Sequence, residues 1–147
     1  MPEQLFAVAS SAALCGWVGL AVAAGLPRGA AQSRTLWLAG RLLPLALCAI
    51  YGVVLVRYWG TTPQGGFSSL GAVQALFASP GKMLGAWLHF LAFDLLVARW
   101  IVDDVLARQG PRLSLLLALP ATLMYGPLGV LIYLGLRQVR RRPARAG

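Results

Sequence analysis

His89, Asp94, Arg99, Asp103 and Asp104 lie close together in an otherwise apolar stretch, Met83 to Leu106. They include the only histidine and three of the four acidic residues of the chain. A histidine and a carboxyl group are the pair that general acid–base chemistry needs, one giving a proton and the other taking one. A nearby guanidinium adds fixed positive charge that can steady a developing alkoxide. Helical geometry sorts these groups. At ~100° per residue with His89 at zero, Trp100 falls at about 20°, Phe93 at about 40°, Asp104 at about 60°, Asp94 at about 140°, Arg99 at about 280° and Asp103 at about 320°. His89, Phe93, Trp100, Asp103 and Asp104 then share one stripe, and Arg99 can pair with Asp103 four residues on. Asp94 points elsewhere, ~7.5 Å along the axis from His89. It needs a partner from another helix, with Arg41 and Arg57 as candidates, or it holds a proton. With Phe93 facing inward, a pocket between helices would collect His89 and Asp94, and Arg99 would reach it from the side.

Plainer roles compete with chemistry. Asp103 and Asp104 stand near the end of the run, where solvation suffices. An Arg99–Asp103 pair is the ordinary way to neutralise two charges, and a lone histidine in a membrane helix often just bonds its neighbour. Asp94 is the hardest to explain this way, being central, acidic and without a local partner. Trp87, Phe93 and Trp100 suit packing as well as ligand contact. One His and two separated Cys make an all-protein zinc site a poor fit. There is no CxxCH for haem, no glycine-rich phosphate loop and no Ser-His-Asp spacing. No metal and no cofactor is expected.

The elements that must position these groups follow from composition. Of 147 residues, 59% are apolar and 12% charged, and the mean hydropathy is +0.71. That excludes a disordered chain and leaves too little charge to dress a soluble exterior. The expected fold is all-α: an integral membrane bundle of four transmembrane helices, one transmembrane domain over 1–147. The spans fall at about 4–26, 36–59, 83–106 and 113–136, with a basic tail at 137–147. A charge-free run of that length crosses a ~30 Å hydrocarbon core. A signal peptide fits residues 4–26 poorly, because no basic residue precedes the run and the run is too long. Gly16 and Gly19 suit close helix packing. Pro44 should kink the second span. Between spans two and three, Thr61-Thr62-Pro63-Gln64-Gly65-Gly66 reads as a turn. After it, Phe67, Leu70, Val73 and Phe77 mark a short interfacial helix capped by Ser68 or Ser69. Pro120 and Pro127 should kink the fourth span. Cys15 and Cys48 read as buried free thiols.

The charge balance is +9 and the pI about 11.1. The arginines stand mostly where apolar runs end, which points to topology and anionic lipid rather than nucleic acid. Four spans put both ends of the chain on one side. Seven basic residues (the tail's five Arg, Arg57 and Lys82) then face six (Arg28, Arg34, Arg41, Arg99, Arg108 and Arg112). The dense tail tips both termini to the cytoplasmic side, in a bacterial inner membrane given the Arg- and Ala-rich composition.

The segment Trp87-Leu88-His89-Phe90-Leu91-Ala92-Phe93-Asp94-Leu95-Leu96-Val97-Ala98-Arg99 resembles the signature of the plant neoxanthin-synthase-like family (abscisic-acid-deficient type), small four-helix membrane proteins. Ser69 to Phe77 and Tyr125-Gly126-Pro127-Leu128-Gly129-Val130-Leu131-Ile132-Tyr133 resemble two more of its stretches. Ala98 stands where that pattern has glycine, and Phe90 where tyrosine is commoner. The resemblance implies a carotenoid-linked isomerase that turns an epoxide into an allene without changing the formula. The catalytic set would be Asp94 as acid, His89 as base and Arg99 on the alkoxide. Trp87, Phe90, Phe93, Trp100, Tyr125, Pro127 and Arg41 would line the substrate site.

Two readings follow. One is a membrane isomerase acting on a carotenoid or related isoprenoid lipid. The other is a non-catalytic lipid-binding or scaffold protein whose His, Asp and Arg form a buried network. The partners are membrane lipids, a carotenoid or isoprenoid ligand and, as an open question of assembly, a second copy of the chain. Ion conduction fits poorly, since spans one and four carry no polar stripe.

Overall fold

The apolar runs fold as helices. A computed structural model describes residues 2–141. Its helices are α1 (Pro2–Gly25), α2 (Ala30–Arg57), α3 (Leu70–Phe77), α4 (Pro80–Ala107), α5 (Leu113–Tyr125) and α6 (Pro127–Arg141), and no strand occurs among the described residues. Helices α1 and α2 are long and apolar enough to cross a membrane. The short helix expected between spans two and three is α3. Ser69 caps it, its hydroxyl accepting from the Ala72 N–H at 3.2 Å. Of the basic tail, the part up to Arg141 continues α6, and the rest lies outside the described residues.

Pro44 has no N–H to offer the Gly40 carbonyl, and its ring crowds that carbonyl. The expected kink takes the form of a wide π-helical turn, Leu38–Leu42, immediately before the proline. Small residues let α1 approach its neighbours. A Cβ on Gly19 would stand 2.7 Å from Ala39 Cβ, and one on Gly16 2.6 Å from Leu43 Cδ2. The core joins Ala9, Ala13, Leu20 and Ala23 of α1 to Leu88, Ala92, Leu95 and Ala98 of α4. Large apolar side chains such as Val18, Val53, Val56 and Leu116 cover the outside. Both cysteines are free, but Cys15 is exposed on this outer surface rather than buried, and Cys48 is half-buried.

The long helices alternate in direction. Near the start of α4, Trp87 Nε1 donates to Ser10 Oγ at 2.9 Å and Phe6 packs on Trp87. Tyr58, after α2, lies against Gly81. At the other end Arg28 Nη2 donates to Leu106 O at 3.0 Å, and Arg112 Nη1 to Gly25 O at 2.9 Å. One end of the bundle therefore carries the start of α1, the end of α2, α3 and the start of α4. The other carries the 26–29 and 108–112 turns.

The fourth span departs from expectation. Residues 113–136 are not one helix. Gly126 ends α5 with φ +48° and ψ −96°, a left-handed backbone that glycine adopts at little cost. Pro127 then opens α6, where its missing N–H is an orphan anyway. The chain reverses. A Cβ on Gly129 would stand 2.6 Å from Thr122 Cα, whereas residues seven apart in one helix are ~10 Å apart along the axis. Further on, Tyr133 and Arg137 of α6 reach Asp104, near the end of α4. Helices α5 and α6 are thus an antiparallel hairpin that goes in half-way and comes back. The sequence Tyr125-Gly126-Pro127, expected to kink a crossing helix, instead ends one helix and starts the next.

The return is pinned by Asp104. Its carboxylate accepts from Arg108 Nε at 2.7 Å, from Arg137 Nη1 at 3.3 Å and from the Tyr133 hydroxyl. Trp100 packs edge-on against Tyr133, with ring centroids 5.8 Å apart. Asp104, expected to be merely solvated, is instead the tie between α4 and the hairpin.

Two substitutions test the hairpin. Gly129→Ala should destabilise the folded protein by roughly 1–3 kcal/mol, since the new methyl meets backbone that cannot yield. Gly135→Ala, with no atom within 4 Å of its new methyl, should be neutral or slightly stabilising; melting in mild detergent compares them. Asp104→Asn should cost about 2 kcal/mol, the scale of hydrogen bonds to a charged group, in the same assay.

Candidate functional site

Helix α4 carries the candidate groups along its 28 residues. Asp94 is at its midpoint, His89 nearer the α3 end and Arg99 nearer the arginine-rich turns. The half-depth hairpin explains what surrounds each. It covers the α4 face that holds Trp100 and Asp104, and its tip stops at Asp94. A Cβ on Gly126 would stand 2.9 Å from Asp94 Oδ1. Beyond the tip the same face of α4 has no helix over it. There Phe90 and Phe93 are 58% and 52% exposed, and His89 is exposed too. The result is a notch beneath the hairpin, floored by His89, Phe90, Phe93 and Asp94. Tyr125 and Pro127, both exposed, flank its upper edge.

His89 is held by aromatic contacts. Phe93 stacks on its ring at 4.5 Å between centroids, and Tyr51 of α2 meets it edge-on at 5.7 Å. His89 and Phe90 also line a cavity of about 650 Å³ between α2, α4, α3 and the loop 58–69. Its walls include Tyr51, Trp59, Phe67 and Lys82. The Lys82 ammonium lies over the Trp59 ring, 5.6 Å from its centroid. Cavities of this size and mostly apolar lining suit a small hydrophobic ligand. Sequence reasoning did not single out Tyr51 or Lys82. Tyr51 sits inside an apolar run with no polar neighbour to flag it.

Asp94 makes no hydrogen bond or ion pair among the described residues. Neither Arg41 nor Arg57 is its partner: Arg41 is exposed on α2, and Arg57 lies over the Tyr58 ring. What Asp94 meets is the hairpin tip and the start of α6. The positive end of that helix dipole is favourable to a negative charge beside it.

Arg99 does not join His89 and Asp94. Its Nε donates to Asp103 Oδ2 at 2.7 Å, and its Nη1 to the Leu36 carbonyl just ahead of the π-helical turn. Its stem lies against Gly40, where a Cβ would come within 2.6 Å of Arg99 Cδ. The side entry expected for Arg99 fails because its place on the helix turns it toward α2, where a carboxylate and a carbonyl satisfy it. The other expected site residues divide. Phe90, Phe93, Tyr125 and Pro127 surround the notch. Trp87 ties α4 to α1, and Trp100 packs under the hairpin on Tyr133. The single stripe drawn from helix angles is split in the same way, with Asp103 paired to Arg99, which reaches α2, and Asp104 serving α6.

A family model described as ABA DEFICIENT 4-like matches residues 4–133. No curated protein matches the chain, and no solved structure does. The matched stretch takes in His89, Asp94, the reversal at Gly126 and Tyr133, so the notch and the hairpin that roofs it both fall within it. The chain belongs to the ABA DEFICIENT 4-like family.

Proposed function

We propose that this is a membrane-embedded, isomerase-like protein that takes a carotenoid or related isoprenoid lipid into the notch around His89 and Asp94. The carrying observation is the half-depth hairpin. It leaves His89 exposed on an apolar stretch of α4 and ends against Asp94, about a turn and a half further along the same helix. The apolar exterior supports α1, α2 and α4 as the crossing helices, with α3 in the interface. A charged group at mid-bilayer costs ~2.5–3.5 kcal/mol on insertion scales. Asp94 lies at that depth with no partner of its own, which favours a role toward a ligand. Membership of the family supports a place in carotenoid chemistry.

The chemistry is proton transfer without change of formula. Asp94 gives its proton to the oxygen of an epoxide as the C–O bond breaks. His89 takes the proton released from a polyene carbon as the new double bond forms, and returns it to Asp94 to reset the site. The start of α6 steadies the Asp94 carboxylate between these steps. Phe90 and Phe93 supply apolar contact to the chain of the ligand. Arg99, with Asp103, holds α4 to α2 and acts on the fold alone.

The test is turnover of an epoxide-bearing carotenoid in detergent or nanodiscs, with products separated by chromatography. His89→Gln and Asp94→Asn should each lower the rate by 10²-fold or more, the usual scale of a lost acid or base, while melting and polyene binding change little. Wild-type protein that binds the polyene and turns nothing over favours the non-catalytic lipid-binding reading. Activity retained in Asp94→Asn contradicts the assignment of the acid.

A further inference from the structure

We infer that the chain crosses the bilayer three times with a re-entrant hairpin, that the arginine end faces the cytoplasm, and that the His89 cavity is filled from the opposite leaflet. The inference rests on the membrane reading above and deepens it by naming where the ligand comes from. Three observations carry it.

The first is the reversal at Gly126. With α5 and α6 doubling back, Arg137 lies at the same end of the bundle as Arg28, Arg108 and Arg112, tied through Asp104 and Leu106. A continuous fourth helix would have carried it to the other end.

The second is charge. Among residues placed at the bundle ends, Arg28, Arg34, Arg108, Arg112 and Arg137 stand at one end, and Arg57 and Lys82 at the other. Basic residues near the ends of spans are retained on the cytoplasmic side, and acidic ones contribute little to the choice. Those placed residues count five against two, where an α6 that ran on to the far end would have made them four against three.

The third is the place of the cavity. Its walls include Trp59, Gly60, Phe67 and Lys82, all at the end opposite the arginines. Trp59 and Phe67 are 74% and 84% exposed there. An apolar ligand thus enters from the leaflet that faces away from the cytoplasm. The cavity reaches His89 and Phe90, and the hairpin tip meets α4 at Asp94, the next turn toward the cytoplasmic side.

The test uses full-length protein in bacterial spheroplasts, with Cys15 and Cys48 replaced by Ala and one new cysteine at a time. A membrane-impermeant maleimide is the probe. Gln4→Cys and Phe67→Cys should label in intact spheroplasts, and Gln138→Cys only after the membrane is permeabilised. Labelling of Gln4→Cys and Gln138→Cys from the same side would establish four crossings and overturn the inference while leaving the membrane site intact. Labelling of Gln138→Cys alone from outside would invert the orientation and overturn it too. Extraction of the protein by alkaline carbonate would sink both the inference and the membrane reading. The expected labelling pattern, found in a protein that neither binds nor converts a polyene, would uphold the orientation and defeat the proposed function.

Discussion

At Gly126 the chain needs a left-handed backbone between two helices, and the residue after it must start a helix without a donor. Tyr125-Gly126-Pro127 meets both needs at once. A side chain at 126 would strain the backbone and press on Asp94. Everything beyond this turn depends on the chain having come back rather than gone on. The close seat of Gly129 on Thr122 exists only in a hairpin, and Thr122 keeps its hydroxyl satisfied by donating to the Ala118 carbonyl at 2.8 Å. Asp104 then fastens the returning helix, so that one carboxylate joins α4, the 108–112 turn and α6.

The site follows from what the hairpin fails to cover. A full-length fourth helix would have buried His89 and Phe93 in a packed seam. A half-length hairpin packs the far half of α4 and leaves Phe90 and Phe93 of the near half exposed. It also sets the start of α6 beside Asp94. Polar groups within a bilayer must be satisfied by protein, since hydrocarbon offers no hydrogen bonds. Arg99, Asp103 and Asp104 obey that rule through their partners. Asp94 has none and therefore stands out.

Much of this was legible in the residues. The first three long helices lie where the apolar runs are. Ser69 caps α3, and Pro44 marks the widened turn of α2. The Arg99–Asp103 pair follows from i, i+4 spacing alone. The hairpin was not legible by the same means. Residues 113–136 form an uncharged run of crossing length, and length cannot tell one helix from two that double back. The decisive signal was the Gly-Pro pair in the middle, because proline right after a positive-φ glycine starts a helix more readily than it kinks one. Asp104 hid for a related reason. Its partners Tyr133 and Arg137 are far along the chain, so nothing local distinguished it from a solvated end residue. The notch was out of reach until the hairpin was known, since it is defined by an absent helix.

The most direct measurement is the distance between spin labels at Ala107 and Gln138, read by pulsed electron resonance on the protein in a lipid bilayer. A continuous helix from Leu113 would separate Gln138 from the 108–112 turn by ~38 Å at 1.5 Å per residue. The hairpin puts both labels at the arginine end, as the Arg137–Asp104 contact requires, and the account predicts a distance well under half of that. A distance near the full helix length would contradict the reversal at Gly126, and with it the notch.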